Sequence, residues 1–212
     1  MKQIFPDLWQ TEPESPFPRL TTQAYLLMRE HGNVLFYSSG RSEEHQRIKE
    51  LGGITHQYLS HRDEVGPALF RIKEMFGSKL CCHRLEEEAV AKACPVDLTF
   101  EKREIHLGDI EVIPTPGHTD GSTCFQFTSP HGKVLLFVGD TLISRPDGTW
   151  GTIVTAKAGG NPSDLADSLR LLRELNPDVL LASGISTGSV PSKELAPGEW
   201  HQVVDEALAT LS

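Results

Sequence analysis

The sequence has no run of lysine and arginine, and its 212 residues carry a formal net charge of −9. Nucleic-acid phosphates are bound by clustered cations, so this balance argues against a nucleic-acid partner. No apolar run approaches the ~20 residues that a bilayer-spanning helix requires, which argues against a membrane partner. The opening residues, Met1-Lys2-Gln3-Ile4-Phe5-Pro6-Asp7, lack the apolar core of a secretory signal. Cysteine is scarce: Cys81, Cys82, Cys94 and Cys124 are the only four, and no two form a Cys-x-x-Cys pair. Cys81 and Cys82 are adjacent, so in a strand they point to opposite faces, a poor framework for disulfides or structural zinc. These absences together predict a soluble, cytoplasmic protein with reduced thiols.

Nothing repeats at a fixed period, and no linker is stronger than an ordinary loop, so residues 1–212 read as one domain. A chain of this length buries roughly 70% of its unfolded surface and needs no covalent staple to fold. Residues 3–9 predict a short strand. Pro13, Pro16 and Pro18 make 12–19 an extended loop. Strand patterns over 23–29 and 34–37 flank His31-Gly32-Asn33 and predict a hairpin. A helix follows over 42–51, with Ser42 as its cap and Gly52 as its stop. Further hairpins are predicted for 104–107 with 110–113 and for 123–128 with 133–138. Asn161-Pro162-Ser163-Asp164 is a helix start by residue type: a capping side chain, proline in the first turn and an acid at the positive end of the dipole. A strand over 178–182 and a helix over 197–211 end the chain. In this reading His31 and His131 sit in turns, His45 and His201 on exposed helix faces, and His106 outward on a strand.

Three stretches concentrate the ionisable groups. In Thr55-His56-Gln57-Tyr58-Leu59-Ser60-His61-Arg62-Asp63-Glu64-Val65-Gly66, a strand pattern ends at Leu59 and becomes a polar loop, before a helical pattern over 68–76. Pro114-Thr115-Pro116-Gly117-His118-Thr119-Asp120-Gly121-Ser122 puts a histidine in a Gly/Pro-rich turn between strands. Val134-Leu135-Leu136-Phe137-Val138-Gly139-Asp140-Thr141 runs a buried strand into an aspartate. Such strand-end loops can converge on one point although they lie far apart in sequence, which is how an accessible site is built on a rigid support. A hydrolytic metal centre needs nitrogen and oxygen donors, an open position for water and a carboxylate to orient or deprotonate that water. The alternative for any one stretch is a solvated turn.

In this order the three stretches resemble the metallo-β-lactamase superfamily, which carries His-x-His-x-Asp-His after a strand, then a Gly-His turn, a strand-end Gly-Asp and a late Gly-His. The resemblance covers most of the chain and implies an α+β fold, a four-layer αββα sandwich of two mixed sheets flanked by helices. It implies a metal-dependent hydrolase acting through metal-activated water on a small ester, thioester or phosphoester. His61, His118 and Asp140 would hold the metal, Asp63 would orient or deprotonate water, and Glu64 would be a further ligand or a hydrogen-bond partner. His83, after a strand end near the site in that fold, is a possible additional donor. The departures from the pattern are specific: Leu59 and Glu64 stand where the first motif has histidine, and Gly184-Ile185 stands for the late Gly-His. The surviving donors lean toward a single divalent ion, iron, manganese or weakly bound zinc, and leave a second ion in doubt. Two other readings stay open: a non-catalytic ligand-binding or sensing member of the fold, and a non-haem iron enzyme with a two-His, one-carboxylate site.

Two other motif readings fail. His61-Arg62-Asp63 echoes a kinase catalytic loop, but position 68, where that loop needs asparagine, is alanine. Gly184-Ile185-Ser186-Thr187-Gly188 has the spacing of a nucleophile elbow, but Pro191 interrupts the helix that should follow and no histidine follows Asp205.

Overall fold

The computed structural model describes residues 1–211. Two sheets carry the molecule. The first runs, in spatial order, Lys2–Phe5, Leu8–Gln10, Tyr25–Leu27, Val34–Phe36, His56–Tyr58, Lys79–His83 and Leu98–Phe100. The second runs Glu104–His106, Ile110–Pro114, Thr123–Thr128, Val134–Gly139, Val179–Ala182 and Ser192–Glu194. Both are mixed: the three predicted hairpins pair antiparallel, while Val34–Phe36 with His56–Tyr58 and Val134–Gly139 with Val179–Ala182 pair parallel.

The period-two alternation of side chains sorts these strands into layers. Leu135, Phe137, Val179 and Leu181 point into the core between the sheets, where the Phe36 and Phe137 rings stack with centroids 3.9 Å apart. Leu136, Val138, Leu180 and Ala182 point the other way, against Leu165, Leu169 and Leu172 of helix Pro162–Arg173 and Trp200 and Val204 of helix Glu199–Ala209. On the outer face of the first sheet, Leu59, Leu80 and Cys82 pack with Leu69 of helix Ala68–Phe76 and Val90 of helix Glu87–Ala91. This is the αββα order. Cys81 lies in the inner core and Cys82 in the outer one; all four cysteines are buried and unpaired. Among the described residues, no helix is long and apolar enough to cross a membrane.

Several local expectations are corrected. Residues 3–9 form two strands of a hairpin rather than one. The proline-bearing stretch contains a strand, Glu14–Phe17, at the edge of a small sheet with Leu20–Thr22 and Gly184–Ser186; an edge position tolerates Pro16, which has no N–H to donate. The first helix is preceded by Arg41 with no side-chain cap, not capped by Ser42. His45 is buried, its Nε2 held 2.8 Å from the Ser39 carbonyl. The phase of the short edge strand 104–106 is the reverse of that expected: Ile105 is exposed, and His106 turns in so that its Nδ1 lies 3.0 Å from the Tyr58 hydroxyl. Asn161 behaves as read, its Oδ1 accepting the Asp164 N–H at 2.8 Å.

Candidate metal centre

Each of the three polar stretches leaves the end of a sheet strand, and two backbone features bring them together. The Thr123 N–H donates to the Ser60 carbonyl at 2.9 Å, joining the first stretch to the Gly-His turn. Gly139, with φ +55°, lies so close to Ser60 that a Cβ there would sit 2.4 Å from Ser60 Oγ. Only glycine lets the strand 134–139 approach the first motif this closely and turn out into Asp140. Gly117 has the same role beneath His118: its φ is +137°, and a Cβ would meet the Leu165 backbone at 2.3 Å.

His61, Asp63 and His118 each offer a donor atom, and the three atoms lie within 4.8 Å of one another. Among the described residues this is the single cluster of its kind, consistent with one divalent ion. Asp140 stands beside it, its Oδ2 3.5 Å from His61 Nε2 and 3.9 Å from His118 Nε2; Asp63 Oδ2 is 3.5 Å from His118 Nε2.

Each donor is held from behind. His118 Nδ1 lies 3.0 Å from the Ile153 carbonyl, which fixes Nδ1 as the protonated nitrogen and leaves Nε2 with its lone pair. That Nε2 is buried with no hydrogen-bond partner. Ser60 Oγ donates to Glu64 Oε1 at 2.5 Å and lies 2.7 Å from His61 Nδ1, so the serine passes the carboxylate's orientation to the imidazole. Glu64 also accepts the Ser60 N–H at 3.1 Å. It therefore supports His61 from the side opposite Nε2. Asp140 Oδ1 accepts the Ser183 hydroxyl at 2.6 Å and the Gly184 N–H at 2.8 Å, which leaves Oδ2 facing the imidazoles.

The buried carboxylates and imidazoles shift one another's protonation. Burial opposes the charged form of His61, but Asp140 and Glu64 outweigh it and push its pKa up to about 9. Burial lifts Glu64 to about 7. Asp140 is buried too, yet the His61 imidazole holds it well below the usual carboxylate range. Three carboxylates around two imidazoles, one of which presents an orphaned lone pair, form a donor set that fits a divalent ion.

The cluster opens into a cavity of about 640 Å³, with Tyr37 and Ser183 near the cluster and Leu20, Val65 and Ile153 among its apolar walls. His83 is not among the lining residues; its Nδ1 accepts the Leu85 N–H at 3.2 Å and its ring packs edge-on against Phe100, so it caps a turn. Leu59 and Ile185 do not face the cavity either. Leu59 is wholly buried in the outer apolar cluster, and Ile185, 2% exposed, is buried against the helices of the second sheet. A histidine at Leu59 would sit in the apolar cluster of Leu69, Leu80, Cys82, Val90 and Cys94. Leu59→His should therefore destabilise the fold by about 3–5 kcal/mol, from lost packing and a buried polar ring. Urea denaturation measures this; a variant of unchanged stability that gains a second metal would place Leu59 in the cleft after all.

Sequence reasoning missed the supports. Arg62 binds Glu86 and Asp120 and donates to the Leu85 carbonyl at 3.0 Å. Glu86, wholly buried, accepts the Thr119 hydroxyl at 2.6 Å, and Thr119 Oγ1 lies 2.8 Å from Ser122 Oγ. This network ties the loop carrying His61 and Asp63 to the turn carrying His118. The only signal of it in the sequence is an arginine between two site residues.

The family described as "Metallo-beta-lactamase superfamily" matches residues 24–184. The chain is 24% identical over 166 residues, 76% of its length and 67% of the relative's, to a Bacillus subtilis (strain 168) protein named "Probable polyketide biosynthesis zinc-dependent hydrolase PksB". It is 29% identical over 134 residues to a hydroxyacylglutathione hydrolase of Bartonella henselae, a match spanning 62% of this chain and 46% of that protein. Among solved structures, the metallo-β-lactamase GOB-18 from Elizabethkingia meningoseptica superposes with a TM-score of 0.66 at 18% identity, covering 95% of this chain and 91% of that one. A Cronobacter sakazakii metallo-β-lactamase with a HARLDQ motif gives 0.62 at 20% identity, covering 82% and 81%.

Proposed function

Because the chain belongs to the metallo-β-lactamase superfamily, for which metal-dependent hydrolysis is the activity its His/Asp cluster supports, we propose that it is a single-domain, cytoplasmic hydrolase of small esters, thioesters or phosphoesters. The observation that carries this reading is the pair of pre-oriented imidazoles. His118 Nε2 is buried without a partner, and His61 Nε2 faces the same carboxylate, while each Nδ1 is committed elsewhere. His61 and His118 would hold one divalent ion with Asp63 and Asp140 beside them. When bound, such an ion supplies a Lewis acid and brings the pKa of water from 15.7 to about 7.

The remaining work belongs to the protein. Glu64, through Ser60, fixes the His61 ring; Ser183 and the Gly184 N–H fix Asp140. Asp140 is buried and held on Oδ1, whereas the Asp63 side chain is 48% exposed, so a carboxylate oxygen of Asp63 is the acceptor placed to take a proton from water entering the cleft. The apolar side chains of Leu20, Val65 and Ile153 would lie against the body of a bound substrate. A hydroxyacylglutathione is a thioester, and the relative of that name supports that substrate class. The four unpaired, buried thiols support a reducing compartment.

The test is a panel of ester, thioester and phosphoester probes on the protein loaded with zinc, manganese or iron, before and after chelation. Turnover of at least one class, lost on chelation and restored by metal, is the expected result. Metal-loaded protein inert toward all three classes would leave the binding or sensing reading in its place.

A further inference from the structure

Tyr37 is wholly buried, yet its backbone has φ +70°, a conformation that bulky residues adopt only when their surroundings enforce it. The enforcement is visible at every polar atom. The Tyr37 N–H donates to the Tyr58 carbonyl at 2.8 Å, and its carbonyl accepts from Gln57 Nε2 at 2.9 Å. The hydroxyl donates to the Leu181 carbonyl at 2.8 Å and accepts the Gly139 N–H at 2.9 Å. Leu181 and Gly139 belong to neighbouring parallel strands whose register slips at this point: Phe137 pairs with Leu181, but Gly139 pairs with Ala182. The hydroxyl fills the slip. It gives the Gly139 N–H a partner at the residue where the chain leaves the sheet to become Asp140.

We propose that Tyr37 is a positioning residue of the metal centre: its hydroxyl fixes the Gly139 bulge and thereby the place of the Asp140 carboxylate relative to His61 and His118. This rests on the reading of Asp140 as part of the metal site. Its physical content is that one buried oxygen, joined to Asp140 only through the Gly139 amide, sets how well the site holds a metal. Outer partners of metal ligands act in this way, by holding donors in position before the metal arrives.

Tyr25 provides a matched control. It is equally buried, its ring meets the Tyr37 ring edge-on at 5.9 Å, and its hydroxyl bonds the Ala182 carbonyl at 3.2 Å and the Pro191 carbonyl at 3.0 Å. It has no bond to Gly139. Tyr37→Phe and Tyr25→Phe each delete a buried hydroxyl, but only the first removes the partner of the Gly139 N–H; Tyr25 shares its one proton between the Ala182 and Pro191 carbonyls, on the partner-strand side of the bulge. The experiment measures zinc affinity of the folded protein by chelator competition, the visible spectrum of its cobalt(II) form and cooperative unfolding, for both variants and for Asp140→Ala. Asp140→Ala should lose more than about 100-fold in affinity and Tyr37→Phe about 10–100-fold, with a changed cobalt spectrum. Tyr25→Phe should bind as the parent does, although it too loses stability. Parental affinity and spectrum in Tyr37→Phe, or an equal loss in Tyr25→Phe, would overturn the inference. Parental affinity in Asp140→Ala would overturn the donor assignment and the inference with it.

Discussion

Replacing His118 by alanine is expected to strip the divalent ion from the protein and abolish hydrolysis while leaving the fold intact. The ring is 2% exposed, so the substitution leaves a small cavity at the site wall rather than in either apolar core. What disappears is one of two nitrogen donors, the one whose Nε2 has no other partner to lose. Loss of an outer partner alone costs roughly 10–100-fold in metal affinity, and loss of a donor should exceed that, by about 100-fold or more. His131, exposed at a hairpin tip, is the control, and His131→Ala should retain metal at the parental level. Elemental analysis after dialysis reads both; equal metal content in the two variants would remove His118 from the site.

The second large effect is on stability. Arg62→Met should destabilise the protein by about 3–5 kcal/mol, because it leaves the wholly buried Glu86 carboxylate without its cation. Methionine keeps the apolar stem but removes the guanidinium that faces Glu86, Asp120 and the Leu85 carbonyl. Glu86, wholly buried, would keep only the Thr119 hydroxyl as a partner for its charge. Adding Glu86→Gln to Arg62→Met removes that stranded charge and should recover a large part of the loss. Urea midpoints of the two variants make the comparison. A loss below about 1 kcal/mol in Arg62→Met would class the pair with exposed ion pairs, which contribute little. Because Arg62 lies between His61 and Asp63 and Glu86 grips Thr119 beside His118, the single variant should also weaken metal binding.

The parts of this architecture that were legible in the sequence are those set by local pattern. Apolar runs ending in polar residues marked the strands that carry the three motif loops, and Asn161-Pro162 marked its helix start. His61, Asp63, His118 and Asp140 come together as the order of motifs implied. The illegible parts depend on which way a side chain points or on what lies across the fold. Counting two residues back from His61 reaches Leu59, but the pleat turns Tyr58 inward and Leu59 outward, so the counted position faces the wrong layer. Glu64 reads equally as ligand or support, and only the Ser60 hydroxyl bridging it to His61 shows its direction. His106 turns inward because Tyr58, 48 residues away, offers it a hydroxyl. Glu86 reads as one acid in an acidic run until the fold brings Arg62 and Thr119 to it.

The most direct measurement of the central claim is anomalous diffraction from crystals of the zinc-loaded protein. One ion is expected per chain, within about 2.0–2.1 Å of both His61 Nε2 and His118 Nε2, with Asp63 and Asp140 adjoining it. An ion seated elsewhere, or none at these two nitrogens when zinc is in excess, would contradict the account.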